Sequence, residues 1–124
     1  RHRAGVLKMM LRRDPATPGA FAPEELEAYR EAFLRPGAAT AAINYYRAAF
    51  RSGTRIPGLR RSLEKVPTLV LWGEGDRYLG PELLDGLDAF VPDLRLVRIP
   101  GASHWLPADA ADVVNAELVA FFGT

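Results

Sequence analysis

Two side chains in this 124-residue sequence have the types and positions that acid–base chemistry requires, Asp76 and His104. An aspartate can hold an imidazole in one tautomer and stabilise the imidazolium that forms when the ring takes a proton. The imidazole can then act as a general base toward water or a nucleophile. Each residue stands in a loop directly after a segment that reads as a β-strand. In open α/β sheets the functional crevice lies at the carboxyl ends of the strands, so two neighbouring parallel strands would bring both residues to one edge. A structural reading stays open beside the chemical one. Aspartate suits a Gly-Glu-Gly-Asp turn, and a loop histidine also serves as a capping or packing group. Glu74 is the competing acid, and Asp76 is preferred on motif position. Asp109 and Asp112, just past the histidine, are read as serving the N-terminus of the last helix.

Aromatic residues surround these positions. Trp72 and Trp105 flank the two candidates, and packing of the sheet edge and of the last helix is the favoured reading for both. Trp105, directly after His104, is also carried as a substrate-contacting candidate that would exclude water. Tyr45, Tyr46 and Arg47 lie on a helical segment. A tyrosine hydroxyl can polarise an oxygen by donating to it, but Tyr46 also keeps helical spacing with Ile43 and Phe50. On pattern alone that spacing makes it a core residue.

The elements that must position these residues follow from periodicity and punctuation. The opening stretch, 1–13, is basic and reads as a short amphipathic helix in preference to an arginine-rich transit peptide. The sequence DPATPG at 14–19 is a loop on turn chemistry. Pro23 stands at a first helical position, with Glu24 and Glu25 at the positive end of the helix dipole. Leu26, Tyr29 and Phe33 share one face, and Pro36-Gly37 stops that helix. A second helix is predicted over 38–51, followed by a polar connector over 55–64. The apolar run 68–72 has the character of a parallel strand buried on both faces, and Gly73-Glu74-Gly75-Asp76 breaks it. Leu83, Leu84, Leu87, Phe90 and Val91 predict a helix starting at Pro81. Residues 94–99 form the next strand. His104 lies in the loop 100–107, and a last helix runs over 108–122 with Val114, Leu118, Phe121 and Phe122 facing inward. This order is a βαβ unit, so the strands should be parallel with a right-handed crossover. The chain divides into a helical segment with its connector, 1–63, and a βαβα part, 64–124. Two strands cannot by themselves make a covered parallel sheet, so the remaining strands are expected from missing chain or from a partner.

Composition sets bounds on function. A hydrophobic fraction of 48% is that of a globular protein. A net charge of +1 gives no electrostatic footprint for nucleic acid or for an anionic membrane. No apolar run approaches the ~20 residues of a membrane helix. The absence of cysteine excludes disulfides, thiolate metal sites and a cysteine nucleophile, and it fits a cytoplasmic protein. The sequence opens on Arg1 without a methionine, which suggests a processed product or a fragment.

Residues 66–124 resemble the C-terminal end of the α/β-hydrolases. The marks are the blocks VPTLVLWGEGD and VPDLRLVRIPGASHW and the closing helix VVNAELVAFF. The resemblance implies that Asp76 is the acid and His104 the histidine of a catalytic triad. The run FAPEELEAYREAFLRPGAATAAINYYRA resembles the cap domain of soluble epoxide hydrolases, and Asn44-Tyr45-Tyr46-Arg47 matches their Asn-aromatic-Tyr-Arg motif. By that resemblance Tyr46 becomes one of two tyrosines that bind the epoxide oxygen, which reverses the reading from spacing. It further implies an α/β fold made of the C-terminal part of an α/β-hydrolase core with a helical cap segment, and a small-molecule substrate with no metal or organic cofactor. The family's nucleophile, an aspartate in epoxide hydrolases, sits on a strand-to-helix elbow for which this sequence has no counterpart. The second cap tyrosine lies well upstream of the motif in the family, and neither Tyr29 nor Tyr45 holds its position. The chain alone is therefore expected to be inactive, with the N-terminal half of the fold as missing chain or second polypeptide. Haloacid or haloalkane dehalogenases and serine esterases share the fold and are the alternatives within it. The helical segment has no tryptophan, and His2 is its one histidine, which favours the epoxide over the halide. A non-catalytic truncated or split fragment is the alternative of another class.

Overall fold

The computed structural model describes residues 2–52 and 66–123. The expected connector over 55–64 therefore lies wholly outside the described residues. Three helices come first: α1, His2–Arg13; α2, Pro23–Leu34; and α3, Ala38–Ser52. Strand β1 covers Thr68–Gly73 and β2 covers Leu94–Ile99. Two helices close the chain, α4 over Leu106–Asp109 and α5 over Ala111–Phe122.

Local chemistry accounts for the helical boundaries. Pro23 opens α2 from an extended Ala22, and the Glu25 carboxylate accepts the Ala22 N–H at 2.7 Å. This satisfies a donor that the first helical turn leaves without a partner. Arg12 and Arg13 lie in the last turn of α1, where the helix dipole favours cations. Helix α1 packs on α2, with Leu11 and Leu26 as their buried residues and a Lys8–Glu27 ion pair at 2.7 Å across the top. Gly37, with φ 82°, supplies the left-handed residue between α2 and α3.

The two strands pair in parallel, in a register that runs from Thr68 opposite Leu94 to Gly73 opposite Ile99. Behind them Ile99, Ala102, Leu106 and Val114 form the buried cluster, with Leu71, Val97 and Ala110 packed against it. The strands are half-buried rather than covered on both faces. A sheet of two strands gives each strand one neighbour and leaves the outer edges and much of the faces open.

Three further expectations need correction. The helix predicted from Pro81 is instead two 3₁₀ turns, Pro81–Leu84 and Leu87–Ala89. Gly86, at φ 70°, stands between them in a left-handed conformation that ends one turn before the next begins. Leu84 and Val91 are buried, whereas Leu83 and Phe90 face outward. The last helix is also broken. Ala110, at φ −139° and ψ 49°, leaves helical space and separates α4 from α5. Of the residues expected to face inward, Val114 is buried and Phe121 half-buried, but Leu118 is exposed and Phe122 is 76% exposed. One helix on a two-stranded sheet finds apolar surface for its first turns only. The stripe on α3 is open within the described residues: Ile43, Tyr46 and Phe50 are all exposed, Phe50 by 88%. Among the described residues no helix is long and apolar enough to cross a membrane.

The closest approach in the fold lies at the end of β1. A Cβ on Gly73 would stand 2.4 Å from the Ser103 carbonyl oxygen and 2.6 Å from that of Ala102. Both are backbone atoms that cannot swing aside. Gly73→Ala is therefore expected to cost about 1–3 kcal/mol, seen as a lower urea midpoint at unchanged slope. An unchanged midpoint would show that the loop carrying His104 yields freely.

Candidate active site at the strand ends

The Gly-Glu-Gly-Asp turn and the loop carrying His104 are laced together by main chain. Glu74 N–H donates to Ile99 O at 3.2 Å and Gly75 N–H to Ala102 O at 2.8 Å, while Asp76 N–H closes the turn itself on Gly73 O at 3.1 Å. Glycine at 73 and 75 permits this contact, since a Cβ on Gly75 would also press on the Ala102 carbonyl at 3.0 Å. Gly101, at φ 76°, turns the chain back after Pro100. The result sets two side chains from different strands beside each other.

His104 Nδ1 lies 2.9 Å from Asp76 Oδ2. The other carboxylate oxygen, Oδ1, accepts the N–H groups of Tyr78 at 2.8 Å and Leu79 at 3.0 Å. Both oxygens of Asp76 are thus held, and its side chain is 9% exposed while that of His104 is 40% exposed. Burial by itself raises the Asp76 carboxyl, but hydrogen bonds from His104, Tyr78 and Leu79 outweigh it and hold the group below the usual carboxylate range. An ionised aspartate accepting from Nδ1–H leaves Nε2 as the basic nitrogen, which is the arrangement a general base needs. The competing acid, Glu74, is exposed and takes no part in this contact.

The loop around His104 is fixed by a residue assigned another task on sequence. Asp109 Oδ2 accepts both the backbone N–H of Ser103, at 2.8 Å, and its hydroxyl. Its Oδ1 accepts the N–H of Thr17 at 2.8 Å. Ser103 is buried and its Oγ in turn accepts the Trp105 N–H at 3.1 Å. Asp109 therefore pins the residues on either side of the histidine to the 14–19 loop. It does not cap α5, whose N-cap is Ala110 with no side-chain hydrogen bond, and Asp112 alone stands in the first turn of that helix. Desolvation raises the Asp109 carboxyl, and the donors from Ser103, Thr17 and Ala16 together lower it further than burial raises it.

The aromatic residues divide. Trp105 is half-buried, its ring meets Phe21 edge-on at 5.6 Å and His104 at 5.9 Å, and its Nε1–H donates to Asp14 Oδ2 at 3.0 Å. Trp72 is half-buried on β1. Tyr78 lies edge-on to His104 at 5.1 Å. Tyr46 is 64% exposed on α3, with its ring against Tyr45. Among the described residues it makes no hydrogen bond or ring contact with Asp76 or His104. Among the described residues no three His, Asp or Glu side chains gather as a ligand set for a metal ion. Sequence reasoning missed Asp14, Tyr78 and the true role of Asp109. Their partners stand 64 to 92 residues away along the chain, beyond any local pattern.

Asp14, Asp76 and Asp109 are all held below their ordinary value. A carboxyl lowered on folding adds stability that is complete above its unfolded value of about 3.9 and is lost as pH falls through the lower folded one. The tryptophan fluorescence of the folded protein is therefore expected to hold constant from neutral pH to about 4 and to change only below it. A transition centred near pH 6 would contradict this account.

A model of the alpha/beta hydrolase fold family matches residues 10–111. The chain is 36% identical over 98 residues to the AB hydrolase superfamily protein YfhM of Bacillus subtilis, covering 79% of this chain and 33% of that protein. It is 40% identical over 93 residues to human epoxide hydrolase 4, covering 74% of this chain and 25% of that protein. Among solved structures, a mutant epoxide hydrolase from Bacillus megaterium superposes with a TM-score of 0.69 at 26% identity, over 86% of this chain and 39% of its own. The chain thus spans a quarter to a third of the length of these curated relatives. With the parallel strand pair and the family match in agreement, this chain belongs to the α/β-hydrolase fold family.

Proposed function

We propose that the protein to which these residues belong is a hydrolase that opens epoxides through an aspartyl ester. The observation that carries this reading is the 2.9 Å contact between Asp76 and His104 at the ends of two parallel strands, in a chain similar to epoxide hydrolases. A carboxylate from outside these 124 residues attacks an epoxide carbon. The carbon–oxygen bond breaks, the oxygen leaves as an alkoxide, and an alkyl-enzyme ester forms. Tyr46, with a second tyrosine from the remaining chain, donates hydrogen bonds to that alkoxide and protonates it. This requires α3 to lie over the strand ends in the complete protein. His104 then takes a proton from water, Asp76 stabilises the imidazolium, and the hydroxide attacks the ester carbonyl to release a diol and restore the carboxylate, after which the imidazolium proton passes through water to the tyrosinate left by the first step. Trp105, beside His104, excludes bulk water and contacts the substrate.

The same reading assigns the N-terminal half of the fold as the partner of this chain, whether contiguous with it or a separate polypeptide. The uncovered apolar residues of α3, β2 and α5 support this: Ile43, Phe50, Leu96, Val119 and Phe122 are exposed on surfaces that a larger sheet and its helices would cover.

In the complete protein, His104→Gln is expected to slow turnover of an epoxide by a factor of about 10² or more while the covalent ester accumulates. The ester would appear in intact-protein mass spectra as an increment equal to the mass of the epoxide. Normal turnover by that variant, or a serine-bound adduct in place of an aspartyl one, would overturn the proposal. Residues 1–124 alone are expected to show no hydrolysis of the same epoxide, and measurable turnover by them would refute the assignment of the nucleophile to other chain.

A further inference from the structure

The polar tips of two aromatic residues meet on one oxygen. The Tyr78 hydroxyl donates to Asp14 Oδ2 at 2.5 Å, and the Trp105 indole N–H donates to the same atom at 3.0 Å. His104 touches both rings, with centroids 5.1 Å from Tyr78 at 64° and 5.9 Å from Trp105 at 86°. The imidazole therefore sits in contact with a closed Tyr78–Asp14–Trp105 unit whose centre is a carboxylate from the far end of the chain. Hydrogen bonds from Tyr78 and then Trp105 keep that carboxyl below the usual range, against the effect of burial, so it is ionised at neutral pH.

The imidazole needs such support. Asp76 fixes Nδ1, but one hydrogen bond defines a pivot and leaves the ring able to tilt about it, and the terminal torsion of histidine has a broad minimum. Within the described residues the contacts that restrain the His104 ring are those with Asp76, Tyr78 and Trp105. Tyr78 is tied at both ends: its backbone N–H donates to Asp76 Oδ1 and its hydroxyl to Asp14. Trp105 is tied through its backbone to Ser103 and through its indole to Asp14. Removing Asp14 frees the outer end of each ring at once.

We propose that Asp14 is a positioning residue for His104, acting through Tyr78 and Trp105 to keep the imidazole aimed at the water it activates. The proposal rests on the reading of His104 as the base of ester hydrolysis, and it differs from a purely structural role in which Asp14 only fastens the segment after α1 to the core.

The test uses the complete protein labelled with ¹⁵N in histidine and tryptophan, and styrene oxide as the probe epoxide. Asp14→Ala is expected to shift the Trp105 indole N–H resonance and to broaden the His104 imidazole signals as the ring tilts, with the Nδ1–H tautomer kept by Asp76. It should slow ester hydrolysis by about tenfold to a hundredfold while the rate of ester formation stays unchanged. Asp14→Asn keeps an oxygen acceptor in place and should restore most of the wild-type imidazole signal and hydrolysis rate. Tyr78→Phe, which removes one oxygen and leaves the ring, should show the same effects as Asp14→Ala at smaller size, and it serves if the alanine variant fails to fold. If Asp14→Ala or Tyr78→Phe moves the Trp105 resonance but leaves the His104 signals and the hydrolysis step unchanged, Asp14 is a fastener only and the proposal fails. The imidazole and indole signals do not depend on the reaction. A protein in which His104→Gln traps no ester would thus sink the proposed function while the effect of Asp14 on the ring is still read directly.

Discussion

The site depends on how closely the loop after β2 can lie on the end of β1. Between Gly73 and the carbonyls of Ala102 and Ser103 there is no room for a methyl group. That approach lets two backbone hydrogen bonds lace the turn to the end of β2 and its loop, and the lacing in turn sets Asp76 within reach of His104. Packing of this kind is unforgiving, because the obstructing atoms are backbone and cannot rotate away. The Gly-Glu-Gly-Asp sequence is thus less a flexible turn than a surface cut flat enough for another loop to rest on.

Around this contact the chain uses carboxylates as organisers of backbone and ring geometry. Asp76 accepts from two backbone N–H groups as well as from the imidazole. Asp109 joins Ser103 to Thr17, and Asp14 joins Tyr78 to Trp105. Each carboxylate receives several donors converging from different segments, which explains why all three are held ionised despite the desolvation that works against them. Hydrogen bonds to a charged acceptor are stronger than neutral ones and more demanding in direction. Three of them around one histidine give a frame in which the imidazole is the member with a ring nitrogen left for chemistry.

How much of this could be read from sequence varies with the range of the interaction. Strands at 68–73 and 94–99 were legible because their apolar runs end at turn residues, and α2 was legible from Pro23 and its acidic first turn. The meeting of Asp76 and His104 followed from topology, since both stand at the carboxyl ends of adjacent parallel strands. Leucine spacing misled at 81–91, where a left-handed Gly86 overrides helical periodicity. On α3 and on the later turns of α5 much of the apolar stripe is exposed within the described residues, so its spacing is not answered there by packing. Asp14 and Asp109 were opaque for another reason. Both sit where a turn or a helix start gives a sufficient local account, and nothing near them in sequence indicates a partner more than sixty residues distant.

Those distances bear on the order in which the protein can assemble. Asp76 and His104 are 28 residues apart, and their meeting needs little beyond the pairing of β1 with β2. Asp14 reaches Trp105 across 91 residues and Thr17 reaches Asp109 across 92. Closing so long a loop costs more chain entropy than the strand crossover does, and such contacts are made only once the intervening structure exists to reward them. The acid–histidine pair can therefore form before its surroundings are complete. In this chain the acid–histidine pair closes within the strand crossover, whereas the frame around it is completed by two residues from the loop after α1, Asp14 and Thr17.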